Sequence, residues 1–491
     1  MSDPISPRPV RRRAQALLSW PLAAAMTAAL VGAAAAQTPS AKTAAVQAPA
    51  PFTPAERAVI LPALADCADG GAERLGALDD AGLRDALLRK ARTELGQRIR
   101  PSDVDGMWSI RPPVRAVEAE LNQARLDGRL AAWIASLAPK DPRYQALDSA
   151  CRRYAELVAA GGWEPLPPGG VLRQGDTDPQ VPLLRLRLAR EGFGGATAPE
   201  PELFDADLQT AVLGFQSRHG LEPDGVVGPR TRAALNVTAQ ARLQQIRLNM
   251  ERWRWLPRPL PAERLEVDIG GQLATLFRAG APVLAMKVVV GDPEHRTPMF
   301  ASQVESILFN PPWNVPTSIA TKEILPKAAR DRGYLARNDF TFVDGRLVQK
   351  PGPKNALGVV KFDLPSPFGV YLHDTPGKTA FSRTDRALSH GCMRLEKPRE
   401  LAALLLERQG GSAADVEAAI AAGETRRTHL ATPVPLYVVY WTAAAEADGQ
   451  ASFRPDVYGW DAKLAQALAA ADPEQRAALS RPDTDCASLG E

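Results

Sequence analysis

The stretch FGVYLHDTPGKTAFSRTDRALSHGCMRLEKP, residues 368–398, contains the two residues of this sequence whose types and order point to chemistry. It opens with an alternating, strand-like run that ends at His373, and Cys392 follows at the end of a polar turn. A cysteine is a useful nucleophile only as the thiolate, and a histidine brought close by the fold supplies the base that forms it. Cys392 and His373 are therefore predicted to be a nucleophile and its base.

The three residues before the cysteine, Ser389-His390-Gly391, predict a tight polar turn. Gly391 lets the backbone turn so that nearby N–H groups, its own included, can face a developing oxyanion. The spacing by itself also fits purely structural roles for Cys392 and His373, because a lone cysteine and a lone histidine occur in most proteins.

Short β-rich runs lie on both sides of this stretch and predict a sheet. They are RLEVDIG (264–270), QLATLF (272–277), VLAMKVVVG (283–291), SQVESILF (302–309) and PLYVVYWT (435–442). Helical patterns interrupt them at 319–332, 399–407 and 414–422. We expect a mainly β catalytic domain with helical insertions.

The preceding part of the chain has helical periodicity. Residues 53–160 carry stripes such as Leu83, Leu87, Ala91 and Leu95, which predict an α-helical domain. The Gly/Pro-rich segment 161–170 marks a boundary, and residues 171–236 then predict a unit of three helices with a turn-rich loop.

The N-terminus has the features of an export signal. Arg11, Arg12 and Arg13 precede a charge-free, alanine- and leucine-rich run that ends in small residues, so we predict a signal peptide over 1–36. An uncleaved inner-membrane anchor is the alternative. Residues 37–52 are predicted to be a flexible linker, and the protein is expected to work outside the cytoplasm.

Composition narrows the possible partners of this 491-residue chain. The net charge of +3 does not call for a nucleic-acid partner, and the four cysteines lack the spacing of a structural zinc site. Export makes a disulfide possible among the three cysteines outside the motif. Cys67 with Cys151 is the first choice, Cys486 is a weaker partner, and a buried free thiol at Cys151 is the alternative.

The motif HDTPGKTAFSRTDRALSHGCMRLEKP (373–398) is similar to the signature of the L,D-transpeptidases, a His followed by Ser/Thr-His-Gly-Cys and a nearby Arg. The resemblance extends through NMERWRWLP (249–257), VVVGDPEHRTPMF (288–300) and FNPPWNVPTSIATKEILP (309–326). Residues 171–236 resemble a peptidoglycan-binding domain, through Gly175, Phe215, Gln216, Asp224 and Gly225 among others. These residues serve the three-helix core as well, so glycan binding is one of two interpretations.

The resemblance implies a multidomain α+β fold of the long periplasmic type from Gram-negative bacteria. Its parts would be a helical scaffold domain (53–160), a three-helix peptidoglycan-binding domain (171–236) and a mainly β catalytic domain (260–445) with a helical lid insertion at about 310–366. A C-terminal extension would cover 446–491.

The family's catalytic roles carry over to two residues by resemblance. Cys392 would be the acylated nucleophile, and His373 would deprotonate it and later activate the acceptor amine. A backbone carbonyl or polar group just beyond the histidine would orient its ring, which places Asp374 there, although its side chain could instead cap a turn.

The resemblance also suggests supporting roles. Tyr371 and the amides of Gly391 and Cys392 would be oxyanion donors. Arg394 would order the motif or meet a substrate carboxylate, with a structural ion pair as the alternative. His390 is expected to shape the site rather than act as the base. Trp313 would line the donor cleft or belong to the aromatic core of the lid.

The reaction implied is acyl transfer within peptidoglycan. Cys392 would attack the carbonyl of the third stem residue, meso-diaminopimelate, release D-alanine, and pass the acyl group to another diaminopimelate amine in a 3→3 cross-link. Water as acceptor would give a carboxypeptidase, and a lipoprotein lysine would give an anchoring enzyme. No metal or cofactor is implied. The partners would be stem peptides and glycan strands in the periplasm, with carbapenem β-lactams as inhibitors.

Two other classes of function remain open at this point. One is a non-catalytic wall-binding protein, which the presence of both Cys392 and His373 disfavours. The other is a thiol hydrolase that acts on peptides in general, which the wall-binding unit disfavours.

Overall fold

The structure is a computed structural model, and it describes residues 50–65 and 78–471. The predicted signal peptide, most of the predicted linker, Cys67 and Cys486 lie outside the described residues. From Phe52 onward the described residues form a single unit by their contacts, so the domains below can be placed against one another.

The N-terminal part is helical, as the sequence predicts. Leu83, Leu87 and Ala91 are fully buried on one face, because residues four apart lie on the same side of a helix. The first helix begins with a capping box between Thr53 and Glu56. The helices are α1 (Pro54–Leu64), α2 (Asp80–Glu94), α3 (Pro101–Val104), α4 (Val117–Leu126), α5 (Leu130–Ala135) and α6 (Pro142–Ala159).

The last of these helices, α6, packs differently from the first. Its buried residues Tyr144, Leu147 and Cys151 belong to the same apolar cluster as the catalytic sheet, whereas α1, α2, α4 and α5 share a separate cluster. The scaffold is therefore joined to the catalytic domain through α6.

The predicted three-helix unit is present as α7 (Val181–Arg190), α8 (Ala206–Arg218) and α9 (Pro229–Leu235), which share their own apolar cluster. Gln216 fixes the turn-rich loop between α8 and α9. Its amide donates to Asp224 Oδ1 at 2.7 Å and accepts from the N–H of Gly225 at 2.8 Å. A long helix, α10 (Ala239–Arg254), then leads to the sheet.

The catalytic domain is built on a nine-stranded sheet of order β10-β3-β11-β9-β8-β4-β12-β1-β2, and the additional pairing of β2 with β3 closes it on itself. Its strands are β1 (Arg264–Asp268), β2 (Leu273–Arg278), β3 (Ala281–Gly291), β4 (Phe300–Phe309), β8 (Val360–Asp363), β9 (Leu372–His373), β10 (Ala387–Ser389), β11 (Met393–Leu395) and β12 (Arg426–Val439). The helices α14 (Pro398–Glu407) and α15 (Ala413–Ala421) follow β11.

The insertion at 310–366 contains helices, as expected, and also a small sheet. Val315, Ala320, Ile324 and Leu347 form its own apolar cluster, which explains why it holds together apart from the main core. Its elements are β5 (Trp313–Asn314), α11 (Thr317–Ile319), a π-helical turn (Ala320–Ile324), α12 (Leu325–Arg330), α13 (Tyr334–Arg337), β6 (Phe340–Val343) and β7 (Arg346–Gln349).

The segment after the sheet belongs to the core as far as residue 471. β13 (Ala443–Ala445) pairs with β14 (Ala451–Phe453), and α16 (Trp460–Ala471) follows. Trp460 is fully buried, 5.6 Å from the ring of Trp108 in the scaffold. Among the described residues, the helices are too short or too polar to cross a membrane.

Candidate active site

The two halves of the sequence motif meet on neighbouring strands. β9 and β11 run parallel, with Leu372 opposite Met393 and His373 opposite Arg394. Because side chains alternate along a strand, Leu372 and Met393 face the core and are fully buried. Cys392, directly before β11, therefore lies on the opposite face with His373 and Arg394.

Cys392 is a free, partly buried thiol. Burial raises the pKa of the thiol, while hydrogen bonds from Tyr371 and the positive charges of Lys361 and Arg394 act in the opposite direction. The net effect is a neutral thiol at neutral pH, so a base is required when the nucleophile reacts.

His373 is buried, with its ring held from one side. Nδ1 donates to the backbone carbonyl of Asp374 at 2.5 Å, which leaves the lone pair on Nε2. Burial, and then the positive charge of Arg394, lower the pKa of His373 to about 3. The imidazole is therefore neutral at physiological pH and can accept a proton through Nε2.

The side chain of Asp374 has a different role from its carbonyl. It accepts from the backbone N–H of Val359 at 3.0 Å and pairs with Lys378 Nζ at 2.6 Å. The carbonyl thus orients the histidine, while the carboxylate holds the turn that carries this carbonyl.

Ser389 and Gly391 shape the turn before the cysteine. The Ser389 hydroxyl accepts from the N–H of Gly391 at 3.2 Å and donates to the carbonyl of Cys392 at 2.6 Å. The expectation that the Gly391 amide is an oxyanion donor is therefore wrong, because this N–H already has an acceptor. Gly391 is needed for its backbone, whose φ of +102° disfavours any residue with a Cβ.

The N–H of Cys392 remains as the donor of this turn. Within residues 50–65 and 78–471 it has no hydrogen-bond acceptor. A backbone N–H beside a nucleophilic sulfur is the standard position of an oxyanion donor.

Tyr371 lies beside the sulfur. Its phenol is close enough to Cys392 and to the side chain of Trp313 for both to affect its pKa, and Lys361 Nζ lies 4.4 Å from its ring centre. Burial, followed by the negative charge of the Cys392 thiolate, raises the pKa of Tyr371 well above its ordinary value. The phenol stays protonated and can donate to an oxyanion.

Trp313 belongs to the aromatic core of the lid, and its position in a donor cleft stays a prediction. It packs against the apolar cluster of the lid, with its ring 6.4 Å from that of Phe340, and its side chain also reaches Tyr371. The lid is thereby connected directly to the site.

Arg394 is partly buried on the same face. In the described parts of the chain, its guanidinium has no hydrogen-bond or ion-pair partner, so the structural ion pair considered for it is not formed. Burial lowers its pKa, but a guanidinium stays charged at neutral pH. An unpaired cation of this kind is suited to a substrate carboxylate.

His390 points towards the lid. Its Nε2 lies 2.7 Å from Glu323 Oε1 in the π-helical turn, and the ring of His295 lies 4.6 Å away. With Nε2 paired to a lid carboxylate, His390 shapes the entrance, whereas His373 lies on the strand beside the cysteine.

Sequence reasoning missed two residues of this site. Lys361 lies directly opposite His373 on β8, and Thr297 donates from its hydroxyl to the carbonyl of Gly391 at 2.8 Å. Thr297 falls within the segment 288–300 that carries part of the resemblance, but only long-range strand pairing could have located Lys361. Clusters of three or more metal-binding side chains are absent from the described residues.

Cys151 is fully buried and disulfide-bonded, so the alternative of a free thiol there is wrong. Its partner lies outside the described residues, and the pairing with Cys67 stays a prediction.

Comparison with known proteins identifies the domains. Residues 262–435 match the family described as "L,D-transpeptidase catalytic domain", and residues 177–235 match one described as "Putative peptidoglycan binding domain". Residues 22–150 match a family described as "Scaffold domain". The chain thus contains an L,D-transpeptidase catalytic domain and a peptidoglycan-binding domain, preceded by a helical scaffold.

A curated protein of Haemophilus influenzae, named "Putative L,D-transpeptidase", is 30% identical over 241 residues. The match covers 45% of this chain and 49% of that protein, so the chain spans about half the length of its relative.

Solved structures of L,D-transpeptidases are more distant. One from Xylanimonas cellulosilytica is 18% identical, with a TM-score of 0.20, over 56% of this chain and 100% of that one. L,D-transpeptidase 3 from Mycobacterium tuberculosis, in complex with a faropenem-derived adduct, is 16% identical, with a TM-score of 0.20, over 36% of this chain and 60% of that one.

Proposed function

We propose that this protein is a peptidoglycan L,D-transpeptidase that forms 3→3 cross-links between meso-diaminopimelate residues through a thioester on Cys392. The observation that carries the proposal is the shared sheet face of Cys392 and His373. A free thiol lies on the same face as a neutral imidazole, whose Nε2 has no hydrogen-bond partner among the described residues. This combination is what acyl transfer by a cysteine requires.

In the first step His373 Nε2 takes the thiol proton as Cys392 Sγ attacks the carbonyl between diaminopimelate and the terminal D-alanine. The tetrahedral oxyanion accepts hydrogen bonds from the Cys392 N–H and the Tyr371 phenol. Collapse returns the proton from His373 to the leaving nitrogen, which releases D-alanine and leaves the thioester. Arg394 binds the carboxylate of the donor stem before D-alanine leaves.

In the second step an acceptor attacks the thioester. His373 Nε2 takes a proton from the side-chain amine of another diaminopimelate, and the proton then returns to the Cys392 sulfur as the cross-link forms. Water in place of the amine gives an L,D-carboxypeptidase, and a lipoprotein lysine gives an anchoring transpeptidase.

The lid and the peptidoglycan-binding domain give the proposed substrate its surroundings. Trp313 and Glu323 bring the lid to Tyr371 and to His390, so a stem peptide would lie between the lid and the sheet face. The domain at 177–235 would hold glycan strands nearby. With such a substrate the protein would work in the periplasm, exported by its N-terminal signal. Carbapenems would acylate Cys392 because their strained carbonyl meets the same thiol and oxyanion donors.

The test is mass analysis of muropeptides after incubation of the purified protein with disaccharide tetrapeptides. We expect dimers linked 3→3 and one free D-alanine per cross-link. Tripeptides with free D-alanine and no dimers would instead identify a carboxypeptidase. Unchanged tetrapeptides, with no thioester on Cys392, would contradict the proposal. The alternative of a non-catalytic wall-binding protein would then remain.

A further inference from the structure

Thr297 is a fully buried residue in the loop that follows β3. Its hydroxyl accepts from the N–H of Gly291 at 2.8 Å and donates to the carbonyl of Gly391 at 2.8 Å. One side chain therefore connects the end of β3 to the turn that carries the nucleophile. The proposed reaction leaves this contact without a role.

The carbonyl of Gly391 and the N–H of Cys392 belong to the same peptide group. This group is planar and trans, so the two bonds point in opposite directions and rotate together. Holding the Gly391 carbonyl on one side therefore fixes the direction of the Cys392 N–H on the other. The next carbonyl, that of Cys392, is fixed separately by Ser389 at 2.6 Å.

We propose that Thr297 is a positioning residue of the oxyanion hole. Its hydrogen bond to the Gly391 carbonyl fixes the orientation of the Cys392 N–H. The inference rests on the proposed function, because it assigns Thr297 to acylation of that same cysteine. Oxyanion stabilisation depends on donors that are already oriented before the charge develops.

The loop that carries Thr297 is rigid enough for this role because Tyr458 forms hydrogen bonds with its backbone. The hydroxyl of Tyr458 donates to the carbonyl of Gly291 at 2.5 Å and accepts from the N–H of Thr297 at 3.3 Å. Both the backbone and the side chain of Thr297 are thus fixed before they reach the catalytic turn.

The test compares two reactions of the same sulfur. With p-nitrophenyl acetate, Sγ forms a bond to the acetyl carbon and p-nitrophenolate leaves, through a tetrahedral oxyanion. With iodoacetamide, Sγ forms a bond to the methylene carbon and iodide leaves, with no oxyanion. A loss confined to the first reaction reports the oxyanion hole, whereas a general disturbance of the cysteine changes both.

We expect Thr297→Val to lower the acylation rate roughly 10- to 100-fold. Removal of an oxyanion donor lowers the rate ~10²–10³-fold, and a donor that is present but poorly oriented should cost less. Alkylation by iodoacetamide should stay within about 3-fold of wild type, since it needs the thiolate alone. Thr297→Ser keeps the hydroxyl and should restore acylation to within about 3-fold. If Thr297→Val does not fold, Thr297→Ala carries the same comparison.

Thr442→Val is the matched control. Thr442 is also fully buried, and its hydroxyl donates to Asp461 Oδ2 at 2.7 Å and accepts from Asn249 Nδ2 at 2.8 Å, away from the catalytic turn. The Thr442→Val variant should lose thermal stability as Thr297→Val does, while its rates of acylation and alkylation stay near those of wild type.

Equal losses of acylation and alkylation in Thr297→Val, or an equal loss of acylation in Thr442→Val, would overturn the inference. Failure of the proposed function is a separate result, because p-nitrophenyl acetate contains no part of peptidoglycan. A wild-type protein that accepts the ester but leaves muropeptides unchanged would refute the transpeptidase, while the Thr297 comparison would still decide the inference.

Discussion

Two buried polar regions of this protein are built in opposite ways. Where the peptidoglycan-binding domain meets α6, the Glu191 carboxylate accepts from Tyr154 at 2.6 Å and from Arg187 at 2.7 Å. Arg187 also donates to the carbonyl of Leu235 and lies 3.7 Å from the ring centre of Trp163. On the catalytic face, by contrast, Arg394 and the N–H of Cys392 lack partners among the described residues.

The difference separates groups that stabilise the fold from groups that are kept for a substrate. A buried charge is costly unless it is paired, so a paired one such as Glu191 serves the structure. Groups left incomplete in a well-packed domain are expected at functional sites. The comparison predicts that substitutions on the catalytic face change activity strongly and stability little. Substitutions around Glu191 should change stability strongly and activity little.

The largest expected effect is the loss of the nucleophile. Cys392→Ala should abolish both D-alanine release and the mass increase caused by a carbapenem, because no other described cysteine is free. The thermal midpoint should change by no more than a few degrees. Mass spectrometry and a melting curve measure the two. An adduct on the variant would show that the acylated residue lies elsewhere.

The second-largest effect is expected when the base is removed. His373→Gln should slow acylation by roughly 10²–10⁴-fold, the usual contribution of a general base. The exposed histidine of β12, His429, supplies the control, and His429→Gln should keep the wild-type rate. Stopped-flow measurement with a chromogenic β-lactam gives both rates. Near-normal acylation in His373→Gln would remove this residue from the mechanism.

Glu191→Gln should reverse the pattern, with normal acylation and lower stability. His219, whose Nε2 lies 3.6 Å from Oε1 of Glu191, together with the charge of Arg187 and the hydrogen bond from Tyr154, outweighs burial and lowers the pKa of Glu191. Removing one partner of a buried pair costs about 3–5 kcal/mol. Because the folded pKa is below the unfolded value of 4.5, this advantage is full at neutral pH and shrinks as the pH falls below 4.5.

Urea unfolding of the wild type and Glu191→Gln at pH 7 and at pH 4 measures this difference. A stability gap that is equal at both pH values would show that the charge of Glu191 does not act as described.

The smallest effect is expected at the lid contact. Glu323 and His390 are each more than a third exposed, and an exposed ion pair contributes about 0–1 kcal/mol. Glu323→Gln should therefore change acylation by p-nitrophenyl acetate or a small β-lactam less than about 3-fold. A large decrease would show that closure of the lid is required even for small acyl donors.

Much of the site could be predicted from the sequence, because the residues that identify it lie close together in the chain. The motif around His373 and Cys392 predicted the nucleophile and the base, and the β-rich runs on both sides of it predicted the sheet. Prediction failed where a contact joins distant segments. Thr297 reaches Gly391 across 94 positions, and the direction of the Gly391 N–H depends on which acceptor the folded turn provides.

The sequence by itself determined the order of the domains, the β character of the part that contains the motif, and the two side chains proposed to react. Periodicity and motifs are properties of residues that are close in the sequence, so they can be recognised without knowledge of the fold. The tertiary structure alone decided that Lys361 faces His373 and, among the described residues, which amide of the turn is free and that Arg394 has no ion-pair partner. These depend on strand register and packing between segments far apart in the chain, which local patterns do not encode.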